Sequence, residues 1–419
     1  MRAKISPFGK RGIKGDLVTS EVLRLGFAGL GMAAGRLIPE IAQLPYIKLT
    51  AAADLRAHAL QRFQQEFKAE VYASVEEMCA SPNVDAVYVA TPHEFHARHT
   101  LTALRRRKHV IVEKPMAISL EETEAMNAAA EANGVKLMSG HTHSFDPPVK
   151  KMREIIRSGV LGKLLMISTA YYKDHIYRPF PDHDMKMSRG VVLNQGPHQV
   201  DIVRLLGGGR VKSVRAMAAI GDASRPGEGH YACYLEFEDA VPASLVYSGY
   251  AYFDSGELTW GIGEGGERKD PERHLKARKF FKSLGSEPER TRRLEARLEE
   301  WRYGGSTPGA WARGDSGQRK QYQPFFGLTI VTCERGDIRQ SPDGLFIYDD
   351  GGKTEVSVPS GIDAREAELK EFYEGIVNDR AIFHDGRWGQ ATLAVCLAIL
   401  QSAAERREVT LSHQVPVPN

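Results

Sequence analysis

The chain has 419 residues, 42% of them hydrophobic and 26% charged, with a formal net charge of +3. That length exceeds what one core usually organises, so two domains are expected; the composition excludes a disordered chain, and the charge balance offers no global field for nucleic acid. The four cysteines (Cys79, Cys233, Cys333, Cys396) form no C-x-x-C pair, which argues against a zinc knuckle or disulfide framework and for a reducing, cytoplasmic compartment with no metal.

Residues 1–20 are basic and glycine-containing, lack the apolar centre of a signal peptide, and read as a flexible tail. No later run approaches the roughly 20 apolar residues that span a bilayer, so no membrane partner is expected. From Leu23, apolar strands alternate with amphipathic helices, which predicts a parallel, doubly wound α/β sheet over residues 21–140. The strands are read at Leu25 to Ala28, Leu49 to Ala53, Ala86 to Ala90, Val110 to Val112 and Val135 to Met138. Ser74 with Glu77, and Ser119 with Glu122, have capping-box spacing, and Gly134 suits a helix C-cap.

After Gly140 the pattern changes. A helix over Val149 to Arg157 precedes alternating stretches at Leu164 to Tyr172, Lys212 to Ala219, Tyr231 to Phe237 and Ala243 to Tyr250, predicting an α+β domain over 141–363 with a large, mostly antiparallel open sheet. Residues 264–321 are dense in Arg, Lys and Glu, with a solvated helix expected over Glu287 to Tyr303; interleaved acids favour an exposed insertion or oligomer arm over a nucleic-acid surface. Two helices over 364–419, around Ala364 to Asn378 and Trp388 to Arg406, are expected to pack back on the body. An open sheet face in the second domain is expected to join a homodimer or homotetramer.

Residues 25–34 place G-x-G-x-x-A between strand and helix. Gly29 permits the tight turn, Gly31 lets the backbone approach a pyrophosphate beside Met32, and Ala34 keeps the helix close to the strand. Free amides at the helix start favour the phosphates. A second strand ends at Asp54, whose carboxylate can accept both ribose hydroxyls of NAD and repels a 2′-phosphate, while Arg56 keeps NADP open.

Two further stretches follow strand ends at the same edge: Thr91-Pro92-His93-Glu94-Phe95-His96, and Glu113-Lys114-Pro115, where a lysine leaving a buried strand is poorly explained as surface charge. A cis bond at Pro115 would hold Lys114 toward the crevice. In Asn194-Gln195-Gly196-Pro197-His198, the asparagine and histidine share a face if helical, and Gly196 leaves room for a ring.

Together these residues resemble the Gfo/Idh/MocA family in order and spacing: the glycine turn, Thr91 to His96, Glu113-Lys114-Pro115, and Gly196-x-His198-x-x-Asp201. The resemblance implies an NAD(P)-dependent oxidoreductase with the nicotinamide beside Lys114 and with His198 as acid/base. Many relatives carry aspartate at Asn194; an amide can position a hydroxyl but not take its proton, which shifts that role to His198 and Lys114. His141 and His143 replace a segment where relatives often carry arginine, and are expected to line the pocket.

Gly140-His141-x-His143-Ser144-Phe145-Asp146, Tyr177-Arg178-Pro179, His198 to Leu206 and Trp260-x-Ile262-Gly263-Glu264 further resemble the phthalate cis-dihydrodiol dehydrogenases. This implies oxidation of a carboxylated ring cis-diol to a catechol. Such an anionic small molecule needs cations, and Lys173, His175, Arg178, His183, Lys186 and Arg189 crowd one segment; His175, Arg178 and His183 are the expected substrate contacts. The alternatives are a sugar or polyol dehydrogenase or reductase, an enzyme that recycles tightly held NAD, and a non-catalytic NAD-binding regulator.

Overall fold

In the computed structural model, residues 22–250, 252–307, 322–359 and 364–418 are described, and the tail expected over 1–20 lies outside them. Strands β1 (Leu23–Ala28), β2 (Ile47–Ala53), β3 (Glu70–Tyr72), β4 (Ala86–Val89), β5 (His109–Glu113) and β6 (Leu137–Gly140) form a sheet in the order β3-β2-β1-β4-β5-β6. Every pair is parallel. The strand order reverses between β1 and β4, which opens a crevice at their carboxyl ends, the usual ligand position in such sheets. β3 escaped sequence reading because three half-buried residues make no apolar run.

Helices α1 (Met32–Ile41), α2 (Ala57–Phe67), α3 (Val75–Ala80), α4 (His96–Arg105) and α5 (Leu120–Asn133) connect these strands. Ser74 caps α3 by accepting from the Glu77 amide at 3.2 Å, and Ser119 caps α5 by accepting from Glu122 at 3.3 Å. The second box closes one residue early, since Glu122 accepts from the Ile118 amide at 3.0 Å rather than from Ser119. Gly134 ends α5 with a left-handed φ of 64°.

The second domain begins with α6 (Pro147–Ser158) and contains α7 (Asp182–Met187), α8 (Val191–Asn194) and α9 (Gly196–Leu206). Its nine strands are β7 (Leu164–Tyr172), β8 (Val211–Ala219), β9 (His230–Phe237), β10 (Pro242–Ser248), β11 (Leu328–Cys333), β12 (Gly336–Ser341), β13 (Gly344–Asp349), β14 (Gly352–Ser357) and β15 (Val409–Thr410). They run β14-β13-β12-β11-β7-β10-β9-β8-β15, antiparallel except for the β7–β10 pair. One face buries Ile167, Tyr171, Leu235, Leu245 and Val331; the other leaves Met166, Met217 and Tyr234 exposed.

The charged insertion contributes α10 (Arg273–Lys282) and α11 (Glu289–Trp301). Most of α11 is exposed or half-buried, as its charge density implies, but it is docked along one edge. Leu294 and Leu298 are fully buried, and α11 leans on α1, so a few apolar positions on an otherwise solvated helix suffice to dock it. Helices α12 (Ala364–Val377) and α13 (Gly386–Glu405) return to the body. Leu369 and Phe372 join the core of β1 and α1, while Trp388, Val395 and Ile399 join the core beneath the second sheet.

Candidate active site

The glycine turn leaves room for a ligand to approach the backbone closely. Gly29 has φ of +91°, and a Cβ there would stand 2.8 Å from the Ala90 carbonyl oxygen, so only glycine fits. Gly31 caps α1 with no side-chain hydrogen bond, and no acidic residue occupies the first turn. A Cβ at Gly31 would meet only Ala90 O, at 3.8 Å. The free amides at the head of α1 therefore face open space, which fits a pyrophosphate. Ala34 is fully buried between helix and strand.

The ribose end is arranged differently from what the sequence suggests. Asp54 accepts from the Leu30 amide at 2.6 Å, and from the Arg56 amide at 2.8 Å and Nε at 3.1 Å. Its acceptors are thus directed at protein donors.

From the crevice a cavity of about 290 Å³ runs into the second domain. Gly31, Met32, Thr91, Pro92, His93, His96, Glu113, Lys114, His143, Arg178, Asn194 and His198 all line it, so three separate loops and both domains meet there. His96 ties two of those loops, its ring nitrogens lying 2.8 Å from Pro115 O and 2.7 Å from Thr91 O. The Lys114–Pro115 bond is cis.

Lys114 Nζ donates to the backbone carbonyl of Asn194 at 3.1 Å. Burial holds its pKa below the ordinary lysine value, with Glu113 and Glu264 opposing. Behind it, Glu113 accepts from the Tyr88 hydroxyl at 2.8 Å and lies 3.5 Å from Arg365, which also pairs with Glu368 at 2.6 Å. Burial alone would raise Glu113, but Arg365 and Lys114 keep it below the usual carboxylate value.

His198 sits in the first turn of α9, its ring centroid 4.8 Å from that of His143 and 5.2 Å from Phe326. Burial, then the nearby Lys114 charge, pushes it well below the usual histidine pKa, so the imidazole is neutral. His143 is fixed by Asp146 at 3.0 Å. Asn194 ends α8 rather than sharing a helix with His198, yet both reach the cavity; its amide oxygen accepts from Gln195 Nε2 at 2.8 Å.

Three expected contacts lie elsewhere. His141 is buried behind the cavity wall against Ser139 Oγ, at 3.1 Å, with its pKa pushed down to about 4 by burial. His175 is fully buried beneath Phe180 and does not line the cavity. His183 is exposed and meets Glu94 at 3.1 Å. Among the other basic residues, Lys173 is buried in an ion pair with Glu264, Arg189 pairs with Glu228 away from the cavity, and Lys186 is exposed. Which side of a loop faces inward is a tertiary outcome that local sequence does not encode.

Sequence reading missed Glu264 and Arg36, which line the cavity, and Leu298, Trp301 and Arg302, which the insertion adds to its wall. Glu264 also accepts from the Tyr171 hydroxyl at 2.8 Å. Burial would raise it, but Lys173 and Arg178 hold it well below the usual carboxylate range. Its sequence signal was its place in the Trp260-x-Ile262-Gly263-Glu264 stretch that opens the insertion, which assigned it no contact. Asp201 has a structural partner: it accepts from Trp388 Nε1 at 2.5 Å, anchoring α9 to α13.

Residues 23–141 match the description "Oxidoreductase family, NAD-binding Rossmann fold", and residues 149–267 match the Gfo/Idh/MocA C-terminal domain. The chain is 35% identical over 385 residues to a 1-carboxy-3-chloro-3,4-dihydroxycyclohexa-1,5-diene dehydrogenase of Comamonas testosteroni, covering 90% of this chain and 94% of that one. A myo-inositol 2-dehydrogenase of Thermotoga maritima is 27% identical over 201 residues, covering 47% and 59%. A solved chain from Bordetella bronchiseptica RB50 superposes with a TM-score of 0.84 at 36% identity, covering 93% of this chain and all of that one. The chain therefore belongs to the Gfo/Idh/MocA family of oxidoreductases, whose N-terminal domain is an NAD-binding Rossmann fold.

Proposed function

We propose that the protein oxidises a cis-dihydrodiol of an aromatic carboxylate to the corresponding catechol, using NAD(P), with Lys114 and His198 handling the hydroxyl proton. The observation that carries this reading is the meeting of Lys114, His198 and Arg178 in one cavity at the mouth of the dinucleotide crevice. The substrate class rests on the likeness to the Comamonas dehydrogenase.

Bound NAD(P) supplies the hydride acceptor. The chain's own residues bind the diol, orient it and remove its proton. Lys114 Nζ can hydrogen-bond the reacting hydroxyl; a pKa lowered by burial makes it a better base at neutral pH. The neutral His198 imidazole can accept the same proton or position the second hydroxyl. Asn194 can orient a hydroxyl but not ionise. Phe180, Met185 and Met187 give the ring an apolar wall, while the Arg178 guanidinium suits a carboxylate. Gly31, Met32, Thr91, Pro92, His93, His96 and Glu113 hold the cofactor side of the cavity.

Two coarser expectations belong to the same reading. The exposed Met166, Met217 and Tyr234 support a homodimer or homotetramer formed through the open sheet face, which sedimentation analysis tests. Four buried free cysteines are in keeping with a reducing cytoplasm.

The experiment is nicotinamide absorbance with a panel of carboxylated cis-dihydrodiols, uncarboxylated cis-dihydrodiols, inositols and sugars. Turnover confined to carboxylated cis-diols is expected. Turnover of inositols or sugars with none of cis-diols would overturn the substrate assignment, and binding without turnover of any would mark a regulator.

A further inference from the structure

The charged insertion reaches back from the second domain to the ribose end of the crevice. Tyr303, just beyond α11, donates from its amide to Gly31 O at 3.3 Å and from its hydroxyl to Glu66 at 2.8 Å. The Trp301 carbonyl lies 3.0 Å from where a Gly35 Cβ would stand, so helix and insertion touch backbone to backbone. This brings Glu299 onto Arg56, with Oε1 2.9 Å from Nη1. His58 Nε2 approaches the same oxygen at 3.1 Å, and Arg302 Nη1 lies 3.0 Å from Oε2.

Arg56 is thereby fully engaged. Its Nε donates to Asp54, its Nη1 to Glu299 and to Tyr303 O at 3.3 Å, and its Nη2 to Leu30 O and, at 3.5 Å, to Asp54 Oδ2. A guanidinium has five N–H donors, and each has a protein acceptor here. An arginine beside the acidic residue that ends the second strand is the group that accommodates a 2′-phosphate in dinucleotide folds. In this chain that arginine is flanked by two carboxylates. A neutral ribose diol can still donate to a carboxylate oxygen, whereas a phosphate meets the like charge of Asp54 and Glu299 and no uncommitted N–H on Arg56. Glu299 lies outside both family-matched segments, in the charged insertion.

We propose that Glu299 sets the cofactor preference, directing the chain to NAD by occupying the arginine that would otherwise bind the 2′-phosphate of NADP. The proposal rests on the reading that the glycine turn binds a dinucleotide.

The test is isothermal titration of NAD and NADP into the full-length protein and its Glu299→Gln, Glu299→Ala, Glu300→Gln and Arg56→Ala/Glu299→Gln variants. Wild type is expected to prefer NAD. Each Glu299 variant is expected to raise the ratio of NADP to NAD affinity by on the order of tenfold. The gain should vanish in the double variant and be absent in Glu300→Gln, whose carboxylate pairs with Arg297 at 2.6 Å instead. An unchanged ratio in both Glu299 variants, or the same gain in Glu300→Gln, would overturn the assignment. Failure of wild type to bind either dinucleotide would instead sink the cofactor reading on which it stands.

Discussion

The ammonium of Lys114 is held 3.1 Å from the backbone carbonyl of Asn194, across 80 residues of sequence and across the two domains. Lys114→Met and His198→Ala are each expected to fold and bind NAD while losing on the order of a hundredfold or more in kcat. Because the Lys114 anchor is a main-chain oxygen, Asn194→Ala should keep the lysine in place and lose less than about tenfold, the range of one modest hydrogen bond. Steady-state rates with matched NAD affinities check this; near-wild-type rates in both Lys114 and His198 variants would remove them from the reaction.

Arg178 should read the substrate's carboxylate. Arg178→Ala is expected to raise KM for a carboxylated diol by about tenfold to a hundredfold, the range of a charge-assisted hydrogen bond, and to leave an uncarboxylated diol nearly unaffected. Equal losses on both substrates would assign the residue to architecture, through Glu264 and Asp174, whose charges raise its own pKa against burial.

The rate of diol oxidation should rise with pH. A base works deprotonated, and burial lowers Lys114 from its ordinary 10.5, so a limb of unit slope is expected at a pH below 10.5. Burial also keeps His198 well below 6.5, so no limb is expected at the ordinary histidine position. A kcat/KM profile of Lys114→Met that keeps the upper limb would contradict this.

Acid should unfold the protein early. Burial lowers His93, His175 and His198 well below 6.5, and takes His109 and His141 down to about 4. These rings are neutral when folded, while their unfolded counterparts protonate as pH falls through 6.5. Over that window the unfolded state binds more protons, so stability declines with falling pH, by about 1.4 kcal/mol per pH unit for each such ring. Urea melts at pH 7.0, 6.0 and 5.0 test it, and a flat midpoint would show that the rings titrate normally.

The cofactor half was largely legible because its signals are local. A glycine needed for a turn, a capping serine and alternating apolar runs each leave a mark within a few residues, and Gly29, Ser74 and Ser119 are examples. The substrate half was less so. Arg178, His143 and His198 face one cavity, but His141, His175 and His183 point elsewhere, because a loop's inward side is chosen by packing. Helix α11 was read as solvated since two buried leucines are a weak signal among many charges. Glu299 and Glu264 acquire their roles only from partners more than 90 residues away.

The first strand and the late helix α12 share one core, with Leu23 and Phe27 packed in the same cluster as Leu369 and Phe372. A ribosome therefore releases the glycine turn long before its hydrophobic backing has been synthesised. The nascent Rossmann half stays incompletely buried until α12 has been synthesised, so completing the core behind the nucleotide cradle depends on a segment more than 300 residues downstream.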